Sequence, residues 1–186
     1  NRQAGIQFYD INSGDKLAFL AKCYAASIVN SGLEFDVLFG PAYKGIPLVS
    51  ATAIALANNH NLNKPFCFNR KEAKSHGEGG VIVGAELSGK VLIIDDVITA
   101  GTAIREAVEI LQNDGAQLNG IAVAMDRQEK GTGELSAIQE IEQAYQISVT
   151  NIISLQNIID YLEGSSDSMM QRHLAAVAAY RDQYGV

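Results

Sequence analysis

An α/β domain, with a mostly parallel central sheet flanked by helices, is the fold class this sequence predicts. Three observations lead there. Short apolar runs alternate along the chain with longer stretches whose apolar residues recur at three- and four-residue spacing. The strongest run, Lys90-Val91-Leu92-Ile93-Ile94-Asp95, is apolar at every interior position, as suits a strand covered on both faces. The length, 186 residues, fits one domain with a sizeable core.

In order, the first helix is expected from about Asp15 to Ser31, with Leu17, Leu20, Ala21, Tyr24 and Ile28 on one face and Gly32 as its stop. Asp36-Val37-Leu38-Phe39 reads as a strand ending in Gly40-Pro41. Pro47, whose fixed φ suits a first helical turn, opens the next helix, which ends near Asn59. Pro65-Phe66-Cys67-Phe68 is a second strand. From Arg70 to Gly80 only Ala73 is apolar and Gly77, Gly79 and Gly80 loosen the backbone, so a flexible loop is expected. Val81 to Gly84 is a short strand and Lys90 to Asp95 the strongest one. The helix after it places Ile104, Ala107, Val108 and Leu111 at i, i+3, i+4 and i+7, and closes at Asn113-Asp114-Gly115. Ile121 to Met125 is another buried strand. Ser136 to Tyr145, Ile147 to Ile153 and Leu155 to Glu163 continue as helix, strand and helix, and Ser168 to Tyr184 is a last helix. Without repeats, low-complexity segments or linkers, residues 1–186 make a single domain.

Composition narrows the function classes. Fourteen Lys and Arg against 21 Asp and Glu leave a net charge of −7, so a surface that neutralises nucleic-acid phosphates is not expected and any anion site is a local reversal. A charged fraction of 19% with 47% apolar residues excludes a disordered chain. Cys23 and Cys67 belong to no CxxC or Cys/His cluster, which argues against a disulfide framework or zinc site and for a cytoplasmic location. Ile46 to Ala57, the longest apolar stretch, is broken by Pro47, Ser50 and Thr52 and falls short of the ~20 residues a membrane helix needs. The first residues, Asn1 to Gly5, carry neither a signal-peptide apolar region nor an initiator Met, consistent with a chain that begins inside a longer one.

Ligands of open α/β sheets bind beyond the carboxyl ends of the strands. Four segments fall there: Gly40 to Gly45, Arg70 to Gly80, Asp95 to Thr102, and Asp126-Arg127. The third is the most informative. A buried strand delivers two adjacent carboxylates, and a small-residue turn with Thr99, Gly101 and Thr102 then opens a helix whose free N–H groups attract phosphate. Asp95 and Asp96 would be repelled by that phosphate, so they are expected to accept hydrogen bonds from sugar hydroxyls or to hold Mg²⁺ through water. The simpler account is an acidic strand end with Thr102 as an ordinary helix N-cap; it explains the two acids alone better than it explains the entire string from Val91 to Ala103. In the second segment Arg70, Lys71 and Lys74 outweigh Glu72 by two charges, which makes a cationic lid, or otherwise a solvated loop. Arg127 follows a buried strand and can pair with an anionic base, or form a salt bridge to Glu129 or Asp126.

The string Asp95-Asp96-Val97-Ile98-Thr99-Ala100-Gly101-Thr102-Ala103 resembles the phosphoribosyl diphosphate (PRPP) binding motif of the type I phosphoribosyltransferases, in the form found in their orotate phosphoribosyltransferase branch. Gly40 to Gly45, Phe68 to Gly80 and Met125 to Glu129 resemble further segments of that branch in the same order, so the likeness covers nearly all of the chain. It implies the type I phosphoribosyltransferase fold with a flexible lid. It also implies Mg²⁺-dependent transfer of phosphoribosyl from PRPP to orotate, giving orotidine 5′-monophosphate and diphosphate, a pyrimidine-synthesis step. Tyr43, Lys44 and Asp95 through Ala103 are then PRPP contacts, and Asp95 and Asp96 water-mediated metal ligands. Arg70, Lys71, Lys74 and His76 contact the leaving diphosphate, with Lys74 and His76 as the catalytic pair and the lid shared across a homodimer. Thr99 and Arg127 meet orotate. The family's N-terminal helix and a Lys- and Phe-containing segment find no match in Asn1 to Asp10, so that part is expected to be missing from the domain.

Three look-alike motifs carry nothing. Gly84 to Lys90 fits GxxxxGK, but Val91 stands where Ser or Thr is required and a strand follows. Asp10 to Asp15 begins like a calcium loop that has Ala21 in place of its final Glu. His60 and His173 have no ligand neighbours and are expected at the surface. Two competing functions remain open on sequence, a purine phosphoribosyltransferase and a PRPP-sensing regulator that binds nucleic acid. Arg127 and the basic lid weigh against the first, the net charge of −7 against the second.

Overall fold

The computed structural model describes residues 12–71, 81–99 and 101–186. In chain order its elements are α1 (Gly14–Ser31), β1 (Val37–Gly40), α2 (Gly45–His60), β2 (Phe66–Asn69), β3 (Ile82–Gly84), β4 (Lys90–Asp95), α3 (Thr102–Asn113), β5 (Gln117–Asp126), α4 (Ala137–Tyr145), β6 (Ser148–Ser154), α5 (Leu155–Gly164) and α6 (Ser168–Tyr184). Each element expected from the sequence is there, with shifted ends. β5 starts four residues before Ile121, because Gln117 and Leu118 pair with Lys90 and Val91 ahead of a register shift. Polar Gln117 and Asn119 and bare Gly120 hide that stretch from an apolar pattern. α2 starts at Gly45, so Pro47 sits inside the first turn, where a helix needs no N–H donor.

The six strands run in the order β3-β2-β1-β4-β5-β6, all parallel except β3, which returns antiparallel beside β2. The Arg70 N–H donates to the Val81 carbonyl at 2.8 Å and closes the neck of the loop between β2 and β3. From β1 the chain passes through α2 outward to β2, then comes back to lay β4 on the other side of β1. That reversal makes the β1/β4 boundary the topological switch point, whose diverging connections leave a crevice at the carboxyl edge.

Side chains alternate faces along each strand, and both faces are covered. Leu92 and Ile94 point with Leu38, Ala122 and Ala124 into the layer of α1 and α2, against Tyr24, Ile28, Val49 and Leu56. Val91 and Ile93 point with Phe39, Ile121 and Val123 to the other side, against Ile104, Val108, Leu111 and Ile141 of α3 and α4. This double burial is why β4 reads as an unbroken apolar run. Truncating Ile93, fully buried, to Ala is expected to cost about 2–5 kcal/mol. A third, smaller cluster joins Met125, Leu155 and Ile159 to Val97 and to Leu174, Val177 and Tyr180 of α6, at the carboxyl end of β5.

Candidate active site

Because β1, β2, β4 and β5 run parallel, their carboxyl ends share one edge, and all four predicted segments can be followed there in full or in part. After β1 the chain turns back on itself very tightly. A Cβ on Gly40 would lie 2.3 Å from the Gly45 carbonyl oxygen and 2.5 Å from Val49 Cγ1, and one on Gly45 would lie 2.7 Å from the Gly40 carbonyl carbon. Only two bare residues permit that approach. The peptide between Ala42 and Tyr43 is cis. The Ala42 N–H donates to Asn69 Oδ1 at 2.8 Å, so the last residue of β2 holds the turn after β1. The turn pushes Tyr43 out to 66% exposure and sends Lys44 across the switch point, where its Nζ lies 3.0 Å from Asp96 Oδ2. Lys71 Nζ sits 5.6 Å from the centre of the Tyr43 ring, a cation–π contact between the ends of β2 and β1.

At the end of β4, Asp95 is 7% exposed. Its Oδ1 accepts from the Asp96 N–H at 2.9 Å, and its backbone carbonyl accepts from the Tyr24 hydroxyl of α1 at 2.7 Å. The Asp96 carbonyl accepts from the Ala124 N–H of β5 at 2.9 Å. The pair is therefore fixed from both sides. Burial holds both carboxyls above the ordinary carboxylate range, opposed for Asp95 by the Asp96 N–H and then by the Lys44 charge.

Beyond the acids the loop is pinned by its apolar residues. Ile98 is buried in the α3/α4 core and Val97 packs on the small cluster beneath α6, so these two contribute backbone rather than side chain to the crevice. Thr99, Thr102 and Ala103 are exposed. Thr102 is not the helix cap: Gly101 holds that position with φ +69°, and among the described residues no side chain caps α3. Gly101 combines a left-handed backbone with a Cβ position 3.0 Å from Ile141 Cδ1, so it meets two demands that other residues cannot. The uncapped turn leaves donors available to an anion.

Arg70 and Lys71 line, with Ala42, Asn69 and Ala103, a cavity of about 320 Å³ between the ends of β1, β2 and α3. A larger one, about 590 Å³, lies beside β3 between Gly84, Leu87 and Ile110 and holds none of the predicted site residues. Lys74, His76 and Ala100 lie outside the described residues, as do residues 1–11.

Arg127 follows β5. Its Nη2 lies 2.5 Å from Glu129 Oε1 and donates to the Tyr180 hydroxyl at 2.6 Å; that hydroxyl also bonds to Glu129. The local salt bridge considered from sequence is thus formed, with a partner from α6 that the sequence did not suggest. Asp126 accepts from the Gln128 N–H at 2.8 Å, and burial raises its carboxyl too. His60 and His173 are exposed, as expected. Among the described residues no group of three or more His, Cys, Asp or Glu is arranged to hold a metal, and no helix is long and apolar enough to cross a membrane.

Three residues with evident roles escaped the sequence reading. Tyr24 looked like a core residue, Asn69 like a strand end and Tyr180 like part of an unassigned helix. Asn69, a polar residue closing an apolar strand, carried a signal; the other two depend on tertiary contacts.

Comparison with known proteins agrees with this geometry. Residues 9–148 match the family described as Phosphoribosyl transferase domain. Proteins named orotate phosphoribosyltransferase from Shigella dysenteriae and from Escherichia coli strain K12 / DH10B are each 58% identical to the chain over 175 residues, covering 94% of it and 81% of the relative. The crystal structure of orotate phosphoribosyltransferase from Francisella tularensis, 41% identical, superimposes with a TM-score of 0.82 over 94% of this chain and 83% of that one. With a family match over residues 9–148 and relatives of this closeness over nearly its whole length, the chain belongs to the phosphoribosyltransferase family and, within it, to the orotate phosphoribosyltransferases.

Proposed function

We propose that the chain transfers the phosphoribosyl group of PRPP to orotate at the β1/β4 crevice, releasing diphosphate and giving orotidine 5′-monophosphate. The observation that carries this is the meeting, at one switch point, of a buried carboxylate, Asp95, a largely buried one, Asp96, Lys44 and a helix N-terminus without a side-chain cap. A sugar phosphate needs that combination: acceptors for its hydroxyls and donors for its phosphate, a few ångströms apart. Thr99, Gly101, Thr102 and the backbone from Val97 to Ala103 take the 5′-phosphate. Asp95 and Asp96 accept from the ribose hydroxyls.

Bond breaking at the anomeric carbon runs ahead of bond making, so positive charge grows on the ribose and negative charge on the diphosphate. The protein's task is then positional and electrostatic. The two acids sit on the side of the growing positive charge. Arg70, Lys71, Lys74 and His76 draw off the negative charge, and Lys74 or His76 gives the diphosphate a proton. Tyr43 and Lys44 line the diphosphate side, while Arg127 and Thr99 select an anionic base.

Two adjacent, largely buried carboxylates with Lys44 as the close cation suit Mg²⁺, which keeps most of its waters and is held by one or two carboxylates together with substrate phosphates. Asp95 and Asp96 would hold it through water, and when bound it would neutralise charge on the diphosphate. A cytoplasmic homodimer with the lid segment shared between subunits completes the proposal.

The direct test is PRPP-dependent loss of orotate ultraviolet absorbance. Turnover with a purine base and none with orotate would reverse the assignment of the base. Binding of RNA that weakens with salt, without turnover, would favour the regulator. Lys74→Ala is expected to lower the rate about 10²–10³-fold, by analogy with loss of one oxyanion donor; an unchanged rate removes the lid from the mechanism. Mixed dimers of Lys74→Ala and Asp96→Ala subunits should regain activity if the lid is shared.

A further inference from the structure

We infer that Tyr180 and Glu129 are positioning residues that orient the Arg127 guanidinium toward the base, and that α6 thereby contributes to base selection. This rests on the reading that Arg127 meets orotate. A guanidinium is planar, and both hydrogens on each terminal nitrogen lie in that plane. Nη2 is engaged by two oxygens at once, Glu129 Oε1 at 2.5 Å and the Tyr180 hydroxyl at 2.6 Å. The Tyr180 hydroxyl also donates to Glu129, so the two oxygens lie side by side and hold Nη2 from one direction, closing a three-membered network that fixes where the guanidinium points. Among the described residues Nη1 and Nε make no further hydrogen bond. The three polar groups meet where water is scarce: the Arg127 and Glu129 side chains are only 17% and 15% exposed. There a charged contact is less screened than on an open surface.

The surroundings are built to hold this triad still. Tyr180 packs with Leu174 and Val177 against Met125, Leu155 and Ile159, so the hydroxyl is carried on an apolar seat rather than a mobile stem. The backbone on either side of Glu129 is tied to the end of the chain. The Lys130 N–H donates to the Tyr184 carbonyl at 2.9 Å, the Val186 N–H to the Gln128 carbonyl at 3.1 Å, and Glu129 pairs with Gly185. Gln128 takes a left-handed φ of +51° between these ties, and its Oε1 accepts from the Gln156 N–H of α5 at 2.8 Å. Gln156 is in turn held by Arg181 at 3.3 Å. For all this, α6 has no fully buried residue, so its contribution to the core is modest and its polar contacts to the segment after β5 stand out.

The position of α6 in the chain points the same way. The match to the phosphoribosyltransferase family ends at residue 148, and α5 and α6 lie beyond it. The part that family shares carries the two acids, the turn after β1 and the uncapped α3. The helix that fixes Arg127 lies outside that part, as suits a device serving the base, the substrate that differs between phosphoribosyltransferases.

Steady-state kinetics with each substrate varied in turn tests this. Tyr180→Phe keeps the ring and removes the hydroxyl; it is expected to raise KM for orotate roughly tenfold, the loss of one hydrogen bond to a charged group, with KM for PRPP and kcat within about twofold. Glu129→Gln should shift KM for orotate in the same direction and serves should Tyr180→Phe fold poorly. In an Arg127→Ala background, Tyr180→Phe should add nothing further, because a positioning residue has no effect once its target is gone. An unchanged KM for orotate in both single variants overturns the inference, as does a parallel rise in both KM values, which marks general loosening. If Arg127→Ala raises KM for orotate while the other two variants do not, only the positioning role falls; if Arg127→Ala itself leaves that KM unchanged, the assignment of Arg127 to the base falls with it.

Discussion

Tyr24→Phe probes the support of the acidic pair without touching the pair itself. Tyr24 has no exposed surface, and its hydroxyl donates to the Asp95 carbonyl at 2.7 Å from a residue 71 positions away. Carbonyls alternate sides along a strand; that of Lys90 accepts from the Asp36 N–H beside β1 and that of Gly89 from the Gln117 N–H of β5, which puts the Asp95 carbonyl on the β5 side. The Ala124 N–H of β5 goes instead to the Asp96 carbonyl, and the Tyr24 hydroxyl supplies the Asp95 carbonyl with a donor. Phe fills the same space but leaves a buried acceptor without this donor, which costs about 1–3 kcal/mol. For a domain of this size that is a fall of several degrees in Tm, at about 2–4 °C per kcal/mol. Urea unfolding of both proteins, read with a common slope, gives the difference directly. With the strand end looser, kcat/KM for PRPP should drop by about three- to tenfold, since positioning carries much of the rate. A stability change below about 0.5 kcal/mol would mean that the carbonyl finds another donor, and the proposed role of Tyr24 would be refuted.

Other perturbations test other parts of the site. Gly40→Ala forces a methyl to within 2.3 Å of the Gly45 carbonyl, so the turn must open; a loss of about 1–3 kcal/mol and a raised KM for PRPP are expected, measured by thermal unfolding and kinetics. Burial pushes the Cys67 thiol up to about 12, which leaves about one thiolate in ten thousand at pH 8, whereas Cys23 is partly exposed; brief alkylation of native protein followed by peptide mass analysis should label Cys23 and spare Cys67. Asp126 has its carboxyl raised by burial, so its ionisation costs stability as pH climbs from the unfolded-state value of about 3.9 through the higher folded one. Asp126→Asn should therefore unfold at higher temperature than the parent at pH 7, with the gap closing toward pH 4; a gap that widens in acid would contradict the assignment.

How much was legible in the sequence varied with the range of the interactions involved. β4 could be read because both its faces are buried, so every interior residue had to be apolar, and the two acids that follow broke that rule visibly. The start of β5 could not, because its pairing to Lys90 and Val91 uses backbone groups and asks nothing of Gln117 or Asn119. Thr102 looked like a cap because Thr commonly is one; Gly101 took the position because the turn needs a left-handed residue close against Ile141. Arg127 was visible as a cation after a strand, but its partners divided by distance. Glu129, two residues on, was weighed; Tyr180, 53 residues on, was not, since nothing in α6 announces which strand end it meets.

The two helices that start at the switch point explain how a chain of net charge −7 makes room for a polyanion. α2 follows β1 and α3 follows β4, and neither has an acidic residue in its first turn or a side chain capping it. Of the other helices, α4, α5 and α6 are each capped by a side chain, from Ser136, Ser154 and Asp167, and α1, which has no such cap, carries Asp15 in its first turn. At α3 the first-turn N–H groups are left to a ligand; at α2 the Gly45 and Ile46 N–H groups donate to the Pro41 and Tyr43 carbonyls and Pro47 has none, so there only the positive end of the helix dipole remains, worth about 0.3–1 kcal/mol of attraction to a charge. Lys44 stands at the start of α2, where a cation is disfavoured by that same dipole, and Asp96 at 3.0 Å offsets the conflict. The crevice thus holds the first-turn donors of α3, a cation in an unfavourable place and two carboxyls raised by burial. Under the proposed function a phosphorylated sugar carrying a diphosphate would answer all three, its phosphates meeting the helix ends and Lys44 and its hydroxyls meeting the acids. Much of the binding energy is on this account stored in the free protein as unmet demand, which is why the supports that hold the demand in place, Tyr24 behind Asp95 and the Gly40–Gly45 contact behind Lys44, matter as much as the groups that touch the ligand.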